Sequence, residues 1–135
     1  MEVRIGIKEA TYEDGTKLSD VAKWNVYGTE TIPPRPVFRI AAEKIMSGEE
    51  FKKRMKAYLH NVVVYSANNQ GDLAEIEKKL LTTTGQQVAA ECKRIINNGT
   101  DLQDNAPATI KKKGFNQPLY ETGLMVKNIS YEVTE

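Results

Sequence analysis

Glu2-Val3-Arg4-Ile5-Gly6-Ile7-Lys8 opens the chain with an apolar residue at every second place, Val3, Ile5 and Ile7 alternating with Arg4, Gly6 and Lys8. Period two marks a strand with one face buried, so residues 2–8 are expected to form the first strand. The pattern returns at the far end of the 135 residues, where Ile129, Tyr131 and Val133 alternate with Ser130, Glu132 and Thr134. This last strand is expected to pair with the first.

Moving inward, Asp14-Gly15 signals a turn. Leu18, Val21, Ala22 and Asn25 then recur at helical spacing, with Trp24 and Tyr27 on the flank and Gly28 as a helix stop. Pro36 suits a first helical position, followed by a stripe of Val37, Ile40, Ala41, Lys44 and Ile45. Ser47-Gly48-Glu49-Glu50 has capping-box spacing, so a new or restarted helix is expected there with Phe51, Met55, Tyr58, Leu59 and Val62 as its apolar face. Ser66 to Gly71 reads as a break. Asp72, with Glu75 three places on, is expected to cap another helix whose buried stripe is Ile76, Leu80, Val88, Cys92 and Ile95. Asn97-Asn98-Gly99 ends it, and Thr82-Thr83-Thr84-Gly85 weakens its centre enough for a kink. Residues 100–118, with Pro107, Gly114 and Pro118, form a long polar loop of the kind that is usually functional or mobile.

Strand, helices, loop and strand in that order predict an α+β fold: a small, mainly antiparallel sheet of the N- and C-terminal strands against two or three α-helices. Residues 1–135 make one domain, able to bury roughly 65–70% of the surface of its unfolded chain. Two strands are marginal alone, so a third is expected from Val62–Tyr65 or the Thr109-Ile110 region, or from a neighbouring subunit. Nineteen basic and eighteen acidic residues give a net charge of +1, which argues against coating nucleic acid through bulk charge. The lone Cys92 excludes an internal disulfide and fits a reducing compartment. No secretion signal or membrane-length apolar run is seen, so a soluble protein made in a cytoplasm is expected.

Two composition-odd segments remain, Tyr27-Gly28-Thr29-Glu30-Thr31-Ile32-Pro33-Pro34-Arg35-Pro36-Val37-Phe38-Arg39 and Pro118-Leu119-Tyr120-Glu121-Thr122-Gly123-Leu124-Met125. Prolines fix φ and bias the preceding residue toward extended backbone, so the first reads as a stiff strut. Thr122-Gly123 requires a sharp change of direction before the last strand. Trp24-Asn25-Val26-Tyr27-Gly28-Thr29 followed by Ile32–Arg39 resembles the "N-E-[FY]-G-T … I-P-x-R-P-F-[LF]-R" signature of tailed-bacteriophage neck and tail-completion proteins, the virion-morphogenesis family. Asn105-Ala106-Pro107-Ala108-Thr109-Ile110-Lys111-Lys112-Lys113-Gly114, then Pro118–Met125 and Asn128-Ile129, resembles that family's second motif. Val26, Val37, Glu121 and Asn128 depart from its usual residues, whereas every proline, the strut arginines and the Thr-Gly turn are kept.

The resemblance implies a non-enzymatic structural protein without cofactors, built into the virion in the bacterial host cytoplasm. It implies a ring, sixfold, that completes the tail and joins it to the head. Its partners would be its own copies and the adjacent neck, tail-terminator or tail-tube proteins. Packaged DNA would pass through the lumen, and no membrane is involved. Pro33, Pro34, Arg35, Pro36, Phe38 and Arg39, with Glu121, Thr122 and Gly123, are the expected contacts. Arg35 and Arg39 would grip a neighbour's carboxylates, or else be solvated or paired within the chain. A tail terminator or minor tail component is the nearest alternative.

Lys111, Lys112 and Lys113 could meet DNA phosphates or a docking ring, and as a separate reading could make the chain a small nucleic-acid-binding module. A plain solvated loop is the other reading of that run. His60, the only histidine, has no partner at ligand spacing, so neither zinc nor catalysis is expected. Cys92 lies on an apolar stripe and is expected in the core.

Overall fold

The computed structural model describes residues 1–68, 73–99 and 123–134. Among them, β1 (Glu2–Ile7) pairs antiparallel with β2 (Ile129–Thr134), from Glu2 opposite Thr134 to Ile7 opposite Ile129. The fold is α+β, with the two ends of the chain forming the sheet and helices packed against it. Between the strands lie α1 (Leu18–Tyr27), α2 (Val37–Met46), α3 (Glu49–Asn68), α4 (Leu73–Asn98) and the short α5 (Leu124–Asn128).

The organising element is α4, which meets both strands, α2, α3 and α5. Val88, Ala89, Cys92, Ile95 and Ile96 are buried along it, and Val37 and Ala41 of α2, Leu18, Ala22 and Val26 of α1, Met125 and Ile129 complete the core. Thr82–Gly85 does not interrupt α4. A Cβ on Gly85 would lie 2.7 Å from Val3 Cγ2 and 2.8 Å from Tyr131 Cδ2. The glycine thus marks where helix and sheet approach too closely for a side chain, and no break is needed to explain it.

Other local expectations need correction. Val62–Tyr65 lies in the C-terminal half of α3 and is not a strand. Three successive valines lower helix propensity only slightly, and the helix already nucleated upstream extends through them. Thr109-Ile110, Asp72, the 100–118 loop and residues 69–71 of the expected break lie outside the described residues, whereas residues 66–68, also expected in that break, still belong to α3. Pro36 stands one place before α2, as its N-cap at φ −79°, ψ 65°. The Ser47 hydroxyl donates back to the Lys44 carbonyl at 3.3 Å, closing α2, so its side chain is not turned toward α3 as a capping box requires.

No side chain of residues 49–65 in α3 is fully buried. Phe51, Met55, Tyr58 and Val62 are half-buried as expected, but Leu59 is 55% exposed and Val63 68% exposed. The helix docks through a different polar link. Arg54 Nη2 donates to Gln87 Oε1 at 2.7 Å, Gln87 Nε2 donates to Glu50 Oε1 at 2.9 Å, and Arg54 Nη1 lies 3.2 Å from Glu50.

Candidate functional site

The strut is a loop pinned back onto α1. Gly28, at φ 82°, ends that helix by donating its N–H to the Trp24 carbonyl at 2.9 Å. A Cβ there would stand 2.9 Å from the Ile32 carbonyl oxygen and 3.0 Å from Pro34 N, so the position needs both the glycine's φ and its missing side chain. The Thr29 N–H donates to the Ile32 carbonyl at 2.8 Å, and the Thr29 hydroxyl accepts the Ile32 N–H at 3.1 Å. Further on, the Arg35 N–H donates to the Asn25 carbonyl and the Val37 N–H to the Arg35 carbonyl, both at 2.8 Å. The second bond closes a tight turn at Pro36, whose dihedrals are those of an inverse γ-turn.

These bonds sort the motif into inner and outer residues. Arg35 is 5% exposed, Val37 is fully buried and Phe38 packs against the core. Burial pushes the Arg35 guanidinium below the ordinary arginine value. Arginine keeps its charge even so. A side chain so enclosed anchors the loop within its own chain and is not displayed as a grip for a neighbour. Arg39 is different: it stands at the surface of α2, 3.9 Å from the equally exposed Glu43 one turn on. The outer surface comprises Thr29–Thr31, Pro34 and two α1 aromatics, Trp24 at 45% and Tyr27 at 77% exposure, while Pro33 and Pro36 are half-buried.

Gly123 is buried and left-handed at φ 75°, ψ 2°, and its carbonyl accepts the Lys127 N–H at 3.0 Å as α5 begins. The sharp turn expected there therefore has its glycine in place. Glu121, Thr122 and Lys111–Lys113 lie outside the described residues.

Among the described residues no group of His, Cys, Asp or Glu side chains could hold a metal ion. His60 is exposed on α3. Cys92 is fully buried, and desolvation pushes its thiol up to about 12, the behaviour of a packing residue. No described helix is long and apolar enough to cross a membrane. An open depression of about 570 Å³ lies beside the 11–16 turn, lined by Tyr12, Glu13, Asp14, Leu124 and Lys127.

Reading the sequence left two features unmarked. Trp24 and Tyr27 stood only on the flank of α1, although aromatic residues three apart near a glycine stop could have been recognised as one exposed face. The outer edges of the terminal strands carry no side-chain signal at all. Neither a family model, a curated protein nor a solved structure matches the chain.

Proposed function

We propose that this chain is a self-associating structural subunit of a tailed-phage virion, acting in a ring at the neck or the top of the tail. The reading comes from the two sequence motifs, and one structural observation supports it. The first motif is held by its own backbone bonds, with Arg35 and Val37 as inward anchors and Trp24, Tyr27 and Pro34 outward. A surface fixed in this way loses little entropy on binding, and exposed Trp and Tyr are the residue types that most often dominate interface energy.

The ring completes the tail and joins it to the head; a tail terminator or minor tail component would differ in neighbours, not in chemistry. Quantitative mass spectrometry of purified virions tests the reading against the major capsid and tail-tube proteins. A low copy number matching one ring is expected, and absence from finished particles overturns it. Replacing Lys111, Lys112 and Lys113 together separates the nucleic-acid reading: loss of salt-dependent DNA binding with normal assembly would favour that module instead.

A further inference from the structure

An open hollow of about 580 Å³ lies where α2 ends and α3 begins, with Met46, Phe51, Met55 and Leu59 in its lining. Met46 is 53% exposed and Leu59 is equally open, so among the described residues nothing covers this apolar floor. Two unbranched methionines suit a surface that adjusts to what lies on it.

Lys52, Lys53 and Lys56 line the same hollow, and among the described residues Glu49 is its one acid. That carboxylate is already 3.5 Å from Lys52, while the neighbouring Glu50 is held by Arg54 and Gln87. Lys53 and Lys56 have no ion pair among the described residues. The hollow therefore joins an uncovered apolar floor to an unneutralised positive rim, and its occupant must be both apolar and acidic.

The layout of α3 separates the candidates. Lys52, Lys56 and Leu59 stand at i, i+4 and i+7, with the exposed Val63 at i+11, so charge and apolar surface share one side of the helix. A helix that lies on a lipid surface divides them between opposite sides instead. A second copy of the hollow brings lysines to lysines, because the acids beside them are already held. Other exposed apolar sites of a second copy carry balanced charge: Asp20 and Glu30 accompany Trp24 and Tyr27 together with Lys17 and Lys23, and Glu75 and Glu77 follow Leu73 together with Lys78 and Lys79.

We propose that this hollow takes an acidic amphipathic helix of another protein, whose apolar stripe lies on Met46, Met55 and Leu59 while its flanking Asp and Glu side chains meet Lys53 and Lys56. Such a contact is helix-in-groove recognition, with apolar anchors setting affinity and charge setting the choice of partner. It does not depend on the virion reading.

The probe is a synthetic helical peptide with leucines at i, i+4 and i+7 and glutamates on its flanks, beside a mate carrying lysines in place of the glutamates. Each is titrated into the full chain while nuclear magnetic resonance follows the methyl groups of Met46, Met55 and Leu59. The acidic peptide is expected to bind with a Kd below about 1 mM, to shift these signals, and to weaken as salt rises. The lysine mate should not bind. Lys53→Glu with Lys56→Glu, both at exposed sites, is expected to weaken the acidic peptide about tenfold or more and to admit the lysine mate. Leu59→Ser should weaken both pairings, with folding of each variant checked by circular dichroism.

Equal binding of the two peptides, binding of neither, or charge reversal without effect overturns the proposal. So does a shift of the same methyl groups with protein concentration alone, which would put a second copy in the hollow. Binding to anionic phospholipid vesicles through these residues, without binding of the acidic peptide, overturns it in favour of lipid. If the double variant fails to fold, the contrast between the peptides and its salt dependence in the unmodified chain decide.

Discussion

Cys92 sits without solvent exposure between Val88, Ala89, Ile95 and Ile96 on α4, and that position couples its chemistry to stability. Its thiol stays protonated up to about 12, above the ordinary 9.0, so between those values the unfolded chain loses a proton that the folded chain keeps. Stability should therefore fall as pH rises through this window, by up to about 1.4 kcal/mol per pH unit. Urea midpoints of the native chain and Cys92→Ala between pH 8 and 11 check this, the variant losing the slope. Nearby, Gly85→Ala gains about 1 kcal/mol of helix propensity but must displace Val3 and Tyr131 at a cost of about 1–3 kcal/mol, so a net loss is expected. Gly85→Val should cost more, read from the same urea midpoints. Ile95→Ala, at a fully buried site, should cost about 2–5 kcal/mol.

At the scale of elements, α1 shows how a distant residue substitutes for a local signal. Lys17 precedes the helix without a side-chain cap. Instead the Glu9 carboxylate accepts from the Ser19 hydroxyl at 2.6 Å and the Ser19 N–H at 3.3 Å, and these bonds hold its pKa below the ordinary 4.5. A lowered carboxyl pKa contributes stability above 4.5 that is lost as pH falls through the folded value. Exchange at the Ser19 amide should accelerate in Glu9→Gln at neutral pH, and the difference from the native chain should vanish in acid. In α3, apolar spacing correctly marks Phe51, Met55, Tyr58 and Val62 but cannot show how weakly the helix is seated. Its link to α4 is the Arg54–Gln87–Glu50 group, and Gln87→Ala should cost about 1.5–3 kcal/mol in unfolding free energy, since it strips a bond from a half-buried arginine.

Across the whole molecule, apolar side chains are divided between one core on α4 and exposed positions on α1 and α3. Tyr27 is 77% exposed and buries little in the monomer, so Tyr27→Ser is expected to shift its stability by no more than about 0.5 kcal/mol. Reduced incorporation of that variant into particles, with an unchanged melting curve, is the outcome expected of an assembly surface. The alternation in Val3–Ile7 and Ile129–Val133 by itself determined that the ends are strands and which face of each is apolar, because a two-residue period allows a single burial pattern. Helical periodicity likewise determined α1, α2 and α4, and Gly28 and Gly99 their stops, since each depends on neighbours within a turn or two. Tertiary structure alone decided that Gly85 is a contact point, that Arg35 faces inward while Arg39 faces outward, and that Glu9 caps α1. Each depends on what lies opposite in space, through packing distance, desolvation or a hydrogen bond across many residues, and residue order alone does not encode that opposition locally.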